Sequence, residues 1–113
     1  MKIAIIGTGN LGCSIAKGLI QTNAITTLYL TKRSLDGIKE FEGYKNVILT
    51  TDNAEAVNNS DILIFAVQPA HLENILLDIK PLLHDNHILI STITGFSISK
   101  MESIVGKDQF LIR

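Results

Sequence analysis

Short, almost unbroken apolar runs alternate along this chain with stretches in which apolar residues recur every three or four positions. Lys2-Ile3-Ala4-Ile5-Ile6 opens the sequence, and Asp61-Ile62-Leu63-Ile64-Phe65-Ala66-Val67 stands near its middle. Runs apolar at consecutive positions belong to strands covered on both faces. The same reading places strands at Thr26–Thr31, Val47–Thr50, His87–Thr92 and Gln109–Ile112. Helical patterns fill the intervals. The first covers about Leu11–Gln21, with Leu11, Ile15, Gly18 and Leu19 on one face. A short helix follows Ser34, whose hydroxyl suits an N-cap. A third starts at Asp52, where Asp52 and Glu55 fit a capping box. The fourth begins after Pro69 and carries Leu72, Ile75, Leu76 and Ile79 on one stripe. The fifth runs from Ser97 to about Val105.

Strands that alternate with helices pair in parallel through right-handed crossovers, which predicts an α/β, doubly wound six-stranded sheet. The segment joining the first strand to the first helix narrows this further. Gly7-Thr8-Gly9-Asn10-Leu11-Gly12 has the glycine spacing of a dinucleotide-binding turn. Gly7 allows the tight turn, Gly9 lets a pyrophosphate approach the backbone, and Gly12 lets helix and strand pack closely. The pyrophosphate then meets the helix N-terminus, where free N–H groups and the dipole favour negative charge. With this turn on the first crossover, the expected arrangement is a Rossmann sheet of order 3-2-1-4-5-6. The whole of 1–113 is read as one NAD(P)-binding domain. Its ligand edge comprises Gly7–Gly12, Thr31–Ser34, Asp52–Asn53, Val67–Pro69 and Thr92–Gly95.

The end of the second strand bears on the choice of nucleotide. NAD-binding domains place an acid there, about 20 residues past the last glycine, to bond the ribose 2′-hydroxyl. This chain has Thr31-Lys32-Arg33-Ser34, and its nearest acid, Asp36, falls in the following helix. Arg33 offers a forked donor set for a 2′-phosphate, and the Thr31 and Ser34 hydroxyls can add hydrogen bonds. The expected cofactor is NADP(H) rather than NAD(H).

Composition removes several classes of function. The chain has 113 residues, 46% of them hydrophobic, and 10 basic against 11 acidic side chains for a net charge of −1. Mean hydropathy is +0.30, which suits a sheet buried on both faces. No basic field argues for nucleic acid, and no apolar run is long enough for a membrane span. The N-terminus lacks a signal-peptide pattern. The single cysteine, Cys13, excludes an internal disulfide and fits a reducing cytoplasm. Cys13 reads as a small packing residue. No His, Asp or Glu cluster has metal-ligand spacing, so no metal is expected. His71, in the first turn of the fourth helix, reads as solvent-facing. His84 and His87 lie away from the ligand edge and receive no chemistry, and Tyr29 reads as sheet packing.

These segments together resemble the N-terminal domain of pyrroline-5-carboxylate reductase, the last enzyme of proline biosynthesis, from Met1 to Arg113. Residues 6–12 resemble the family's opening, Asn10 included. Thr31–Ser34 resembles its NADP-selecting turn, and Thr51-Asp52-Asn53 its third cofactor segment. Ala66-Val67-Gln68-Pro69 resembles an Ala-Val-Lys-Pro motif, and Ser91–Ile98, with Gly95, its Ser-x-Ala-Ala-Gly-x-x-Ile turn. The resemblance implies hydride transfer from NAD(P)H to the C=N carbon of 1-pyrroline-5-carboxylate, giving L-proline. It implies that Gly7, Thr8, Gly9, Asn10, Leu11 and Gly12 hold pyrophosphate. Thr31, Lys32, Arg33 and Ser34 would surround the 2′-phosphate, with Asn53 on the adenosine side. Ala66, Val67, Gln68, Pro69, Thr94 and Gly95 would line the nicotinamide side. No catalytic residue is assigned within the chain.

Three departures stand out. Gln68 replaces a lysine. Ile93 and Thr94 replace two alanines, which is expected to enlarge side chains near the nicotinamide site. The resemblance implies a C-terminal helical dimerisation domain that supplies most of the substrate pocket, and residues 1–113 are not expected to include it, whether as an excised domain or as a stand-alone homologue. The chain is therefore expected to bind cofactor without efficient turnover of its small-molecule imine substrate. A homo-oligomer is expected where the full-length family chain is present. Two alternatives stand beside this: a related oxidoreductase with the same front half, such as an F420-dependent NADP reductase, and a nucleotide-sensing regulatory module, against which the Thr31–Ser34 turn argues.

Overall fold

The computed structural model describes residues 1–22 and 25–113. Six strands form one sheet in the order β3-β2-β1-β4-β5-β6. They are β1 (Lys2–Ile6), β2 (Thr27–Thr31), β3 (Val47–Thr50), β4 (Ile62–Phe65), β5 (Ile88–Ser91) and β6 (Phe110–Ile112). Every neighbouring pair is parallel, with Ile5 opposite Leu30 on one side and Ile64 on the other. The chain works outward from β1 to β3 and then crosses back to β4. This leaves the switch point of a Rossmann sheet between β1 and β4.

The apolar runs divide between the two faces with the period of two that a strand imposes. Ile3 and Ile5 of β1 join Leu28 and Leu30 of β2 in one core cluster. Ala4 and Ile6 join Leu63, Phe65 and Leu89 in the other. The first face is covered by α1 (Asn10–Ile20) and by a 3₁₀ segment (Leu35–Phe41) that buries Ile38 and Phe41. The second is covered by α2 (Asn53–Asn58), α3 (Pro69–Ile79) and α4 (Ile98–Val105). Tyr29 is buried within that second cluster, as sheet packing requires.

Helix ends follow local chemistry. Pro69 takes the first position of α3, where a missing N–H costs nothing. Leu72, Leu76 and Ile79 are buried beneath it, and Ile75 packs at the margin. Ser97 caps α4 by accepting from the Lys100 N–H at 3.1 Å. Asp52 caps α2 by accepting from the Ala54 N–H at 2.9 Å. The expected capping box is only half formed. The Asp52 N–H donates to Thr50 Oγ1, and Glu55 accepts from that same hydroxyl at 3.0 Å.

Several other expectations need correction. β2, β4, β5 and β6 are shorter than expected by one to three residues in total, as at Ile62–Phe65, while β1 and β3 keep the expected bounds. The segment after Ser34 is 3₁₀ and broken at Ile38 (φ −128°, ψ 19°). Gly37 in the middle of so short a segment leaves too little propensity for a regular α-helix. The buried face of α1 centres on Gly12 and Ala16, whereas Leu11 and Gly18 are exposed. The small residues define the contact because the helix lies close to the sheet. A Cβ on Gly12 would stand 3.3 Å from the Gly7 carbonyl oxygen and 3.3 Å from Ile5 Cγ2. Ile93 is buried in the core with Phe96, so its bulk fills the interior instead of enlarging the ligand edge. Thr94 is exposed.

His87 is a buried structural joint. It is 1% exposed, and its Nδ1 accepts from the His84 N–H at 3.1 Å. The proton therefore sits on Nε2, which is shared between the carbonyl oxygens of Ser60 (3.0 Å) and Val57 (3.2 Å). Burial, and next the neighbouring His84 ring stacked 3.7 Å away, push the His87 pKa below 6.5. The folded chain thus binds fewer protons here than the unfolded chain at pH values just below 6.5. This stabilisation is complete above the unfolded value and is lost as pH falls through that window, by at most about 1.4 kcal/mol per pH unit. Urea unfolding at pH 7.5 and pH 5.5 measures it. The His87→Phe chain should lose this part of the pH slope and be about 1–3 kcal/mol less stable at pH 7.5, because two carbonyls and an N–H lose their partner. An unchanged slope in the variant would assign the pH dependence elsewhere.

Gly7 is the tightest point of the turn from β1 into α1. Its φ is +81°, and a Cβ would run into the Val67 side chain. Gly7→Ala should cost about 2–4 kcal/mol of unfolding free energy, combining the backbone and steric penalties. A loss under about 0.5 kcal/mol in chemical denaturation would contradict this.

Candidate functional site

The carboxyl ends of β1, β2, β3 and β4 open onto a cleft of about 610 Å³. That volume lies within the range of small-molecule and cofactor sites. Four segments build its walls. Gly7, Thr8 and Gly9 come from the turn after β1, and Thr31, Lys32, Arg33 and Ser34 from the end of β2. Thr51 and Asn53 come from the approach to α2. Ala66, Val67 and Gln68 lead from β4 into α3, whose His71, Asn74, Ile75 and Asp78 form the far wall.

Thr31 locks the first two segments together. It is 1% exposed. Its Oγ1 accepts from the Gly7 N–H at 3.1 Å, and its carbonyl oxygen accepts from the Thr8 N–H at 2.8 Å. These two bonds continue the β1–β2 ladder beyond the last paired residues, Ile5 and Leu30. On the other side the Ala66 N–H donates to the Ile6 carbonyl oxygen at 2.9 Å. The glycine turn is thus held from both flanks.

Gly9 is the N-cap of α1 and brings no side-chain acceptor, and the helix has no acid in its first turn. A Cβ at Gly9 would find nothing within 4 Å, so no protein contact demands glycine there. An open backbone at the positive end of an eleven-residue helix is suited to an anion. Cys13 lies just past this turn, partly buried, with Sγ 4.0 Å from the Thr8 carbonyl oxygen. It packs against the loop.

At the end of β2 the side chains are cationic or hydroxylic. Ser34 occupies the N-cap position of the 3₁₀ segment but makes no capping bond, which leaves its hydroxyl available. Asp36 turns away and pairs with Lys39 at 3.1 Å. Arg33 reaches across to α3, where its Nη2 donates to His71 Nδ1 at 3.2 Å.

Of the residues singled out in the sequence, Asn10, Leu11, Gly12, Pro69, Thr94 and Gly95 do not line the cleft. Asn10, Leu11 and Gly12 lie at the start of α1 just beyond it, and Pro69 begins α3. Gly95 has φ +84° and is exposed in the turn after β5, with Thr94 beside it. Sequence reasoning placed Thr51 in the third cofactor segment but gave no site role to Asn74, Ile75 and Asp78, and it read His71 as solvent-facing; His71 is exposed, and it also lines the cleft. The spacing of 71, 74, 75 and 78 is a helix-face signal that could have found them. It runs beside the apolar stripe of Leu72, Leu76 and Ile79 and was overshadowed by it.

A second, smaller cavity of about 170 Å³ lies at the opposite end of β2, between Leu19, Leu28, Tyr44 and Val47. Among the described residues no group of His, Cys, Asp and Glu could hold a metal ion.

Comparison with known proteins agrees with this geometry. Residues 2–95 match the family described as NADP oxidoreductase, coenzyme F420-dependent. Pyrroline-5-carboxylate reductase 2 of Dictyostelium discoideum is 38% identical over 96% of this chain and 37% of its own length. Among solved structures, a pyrroline-5-carboxylate reductase from Coxiella burnetii superposes with a TM-score of 0.89 at 28% identity, over 97% of this chain and 42% of that one. The pyrroline carboxylate reductase of Plasmodium falciparum, solved with NADP bound, gives 0.82 at 27% identity, over 98% and 40%. The chain spans about two-fifths of the length of these relatives. A continuous match across the glycine turn, the Arg33 turn and the β4–α3 corner settles its membership: the chain belongs to the family of NADP oxidoreductases, coenzyme F420-dependent, and is similar to the N-terminal part of pyrroline-5-carboxylate reductases.

Proposed function

We propose that the cleft binds NADPH and that the chain is the cofactor-binding part of an enzyme reducing 1-pyrroline-5-carboxylate to L-proline. One observation carries the reading. The glycine turn and the Thr31–Ser34 turn are fixed to one another and open on the same cleft, and the second turn presents Lys32, Arg33 and Ser34 where an NAD site keeps a carboxylate. The residues present fit the cofactor. Gly9 leaves open backbone where a pyrophosphate would lie, and the N–H groups at the start of α1 would hold it. Arg33 and Ser34 would hold the 2′-phosphate, with Asn53, Gln68 and Ile75 along the adenosine and nicotinamide portions. When bound, the cofactor supplies the hydride, while the protein supplies position and electrostatics.

The names of the relatives, and the NADP in one of them, support this assignment. The family description favours one second reading, in which coenzyme F420 replaces the imine as hydride partner. The 38% identity to a pyrroline-5-carboxylate reductase weighs toward the imine. Assembly into a homo-oligomer and efficient turnover are proposed for a chain of the relatives' full length, with this segment alone binding NADPH. No helix among the described residues is long and apolar enough to cross a membrane. A cytoplasmic setting, suggested by the single cysteine, is part of the same proposal.

Calorimetric titration with NADPH and NADH tests the cofactor assignment. The chain should prefer NADPH. Arg33→Ala should weaken NADPH about 10- to 100-fold, from the roughly 1.5–3 kcal/mol of a charge-assisted bond, and leave NADH unchanged. Gly9→Ala should weaken both nucleotides while shifting stability by less than about 0.5 kcal/mol. Equal affinity for the two nucleotides in both the parent and Arg33→Ala, or no binding by the parent, would overturn the assignment.

A further inference from the structure

The Arg33–His71 contact is not explained by a cofactor site built from glycine turn and arginine alone. We propose that His71 and Arg33 are the two jaws of one phosphate clamp, and that His71 changes from acceptor to donor by taking up a proton together with the 2′-phosphate. The inference rests on the NADPH reading of the cleft.

The contact crosses the cleft between residues 38 positions apart, from the end of β2 to the first turn of α3. A guanidinium only donates, so His71 Nδ1 at 3.2 Å must be an unprotonated acceptor. Among the described residues the ion pairs are Lys17–Glu40 and Lys39–Asp36, and neither involves Arg33. The arginine charge is thus held by a neutral ring, a weak partner that a phosphate readily replaces. The other charged groups facing this part of the cleft are Lys32, beside Arg33, and Asp78, two turns further along α3.

Arrival of a phosphomonoester changes what His71 must do. Arg33 turns its donors to the phosphate oxygens, and the imidazole loses the N–H it was accepting. An unprotonated Nδ1 would then face acceptor oxygens. One proton from solvent converts Nδ1 to an N–H donor and the ring to a cation, and the clamp closes with two donors on an anion that carries close to two charges. Binding and protonation are therefore linked, and the affinity of a 2′-phosphorylated nucleotide rises as pH falls. A nucleotide without that phosphate gains nothing from the switch.

Calorimetry in two buffers of different ionisation enthalpy counts the protons. Near pH 7 the parent chain should take up a fraction of a proton with NADPH and none with NADH. Between pH 8.5 and pH 6.5 its NADPH affinity should rise roughly three- to tenfold, as expected for a histidine-linked event. His71→Gln keeps a hydrogen-bonding side chain without a titrating ring. It should abolish both the uptake and the rise, while Arg33 continues to favour NADPH over NADH. The same uptake in His71→Gln, or equal uptake with NADH, would overturn the clamp while leaving the cofactor assignment standing. Failure of the parent chain to bind either nucleotide would overturn both.

Discussion

The paired bonds from Thr31 to the glycine turn are the constraint on which the rest of the site depends. A phosphate loop and a nucleotide-selecting turn are useful only at a fixed separation, and they lie on different strands. Thr31 sets that separation by accepting from two successive N–H groups, Gly7 through its hydroxyl and Thr8 through its carbonyl oxygen. Thr8 and Thr31 are buried and Gly7 partly so, which limits competition from solvent. Side-chain oxygen and main-chain oxygen act as one short extension of the sheet. The next residues, Lys32 and Arg33, are thereby delivered to the cleft, where Arg33 meets His71.

The sheet supplies the remaining rigidity. Its continuous apolar runs are split between two faces, and each face is closed by its own set of helices. The close approach of α1 to β1 through Gly12 and Ala16 brings the helix N-terminus over the strand end. On the opposite face α3 does two jobs with adjacent stripes. Leu72, Leu76 and Ile79 anchor it to the core, and His71, Asn74, Ile75 and Asp78 face the cleft. A helix anchored this firmly holds its polar stripe at a set distance from Arg33, which allows a side-chain contact to span the opening.

Much of this was legible in the sequence because the determinants are local. The three glycines, the run before them and the helix after them specify a strand–turn–helix corner without reference to the rest of the chain. Alternation and handedness led to a doubly wound sheet, and the glycine turn on its first crossover led to the strand order. The missing carboxylate at Thr31–Ser34 was readable by position alone. What escaped was set by tertiary placement. Thr31 was read as a phosphate contact, and its hydroxyl is engaged with Gly7, which only the pairing of β1 with β2 reveals. Large apolar residues were taken to mark the buried face of α1, yet Leu11 faces solvent because the closest packing selects the smallest side chains. Ile93 was placed near the ligand edge by its neighbours in sequence, and the turn after β5 points it into the core. His71 carries no signal by itself. Its importance appears only when α3 is set against the end of β2.

Amide chemical shifts recorded while NADPH is titrated into the isotopically labelled chain would report which end of the sheet holds the nucleotide. The largest changes should fall on Gly9 to Gly12, on Lys32 to Ser34, and on residues 66–71. Changes confined to the opposite end of the sheet, around Leu19, Tyr44 and Val47, or no change at saturating NADPH, would contradict it.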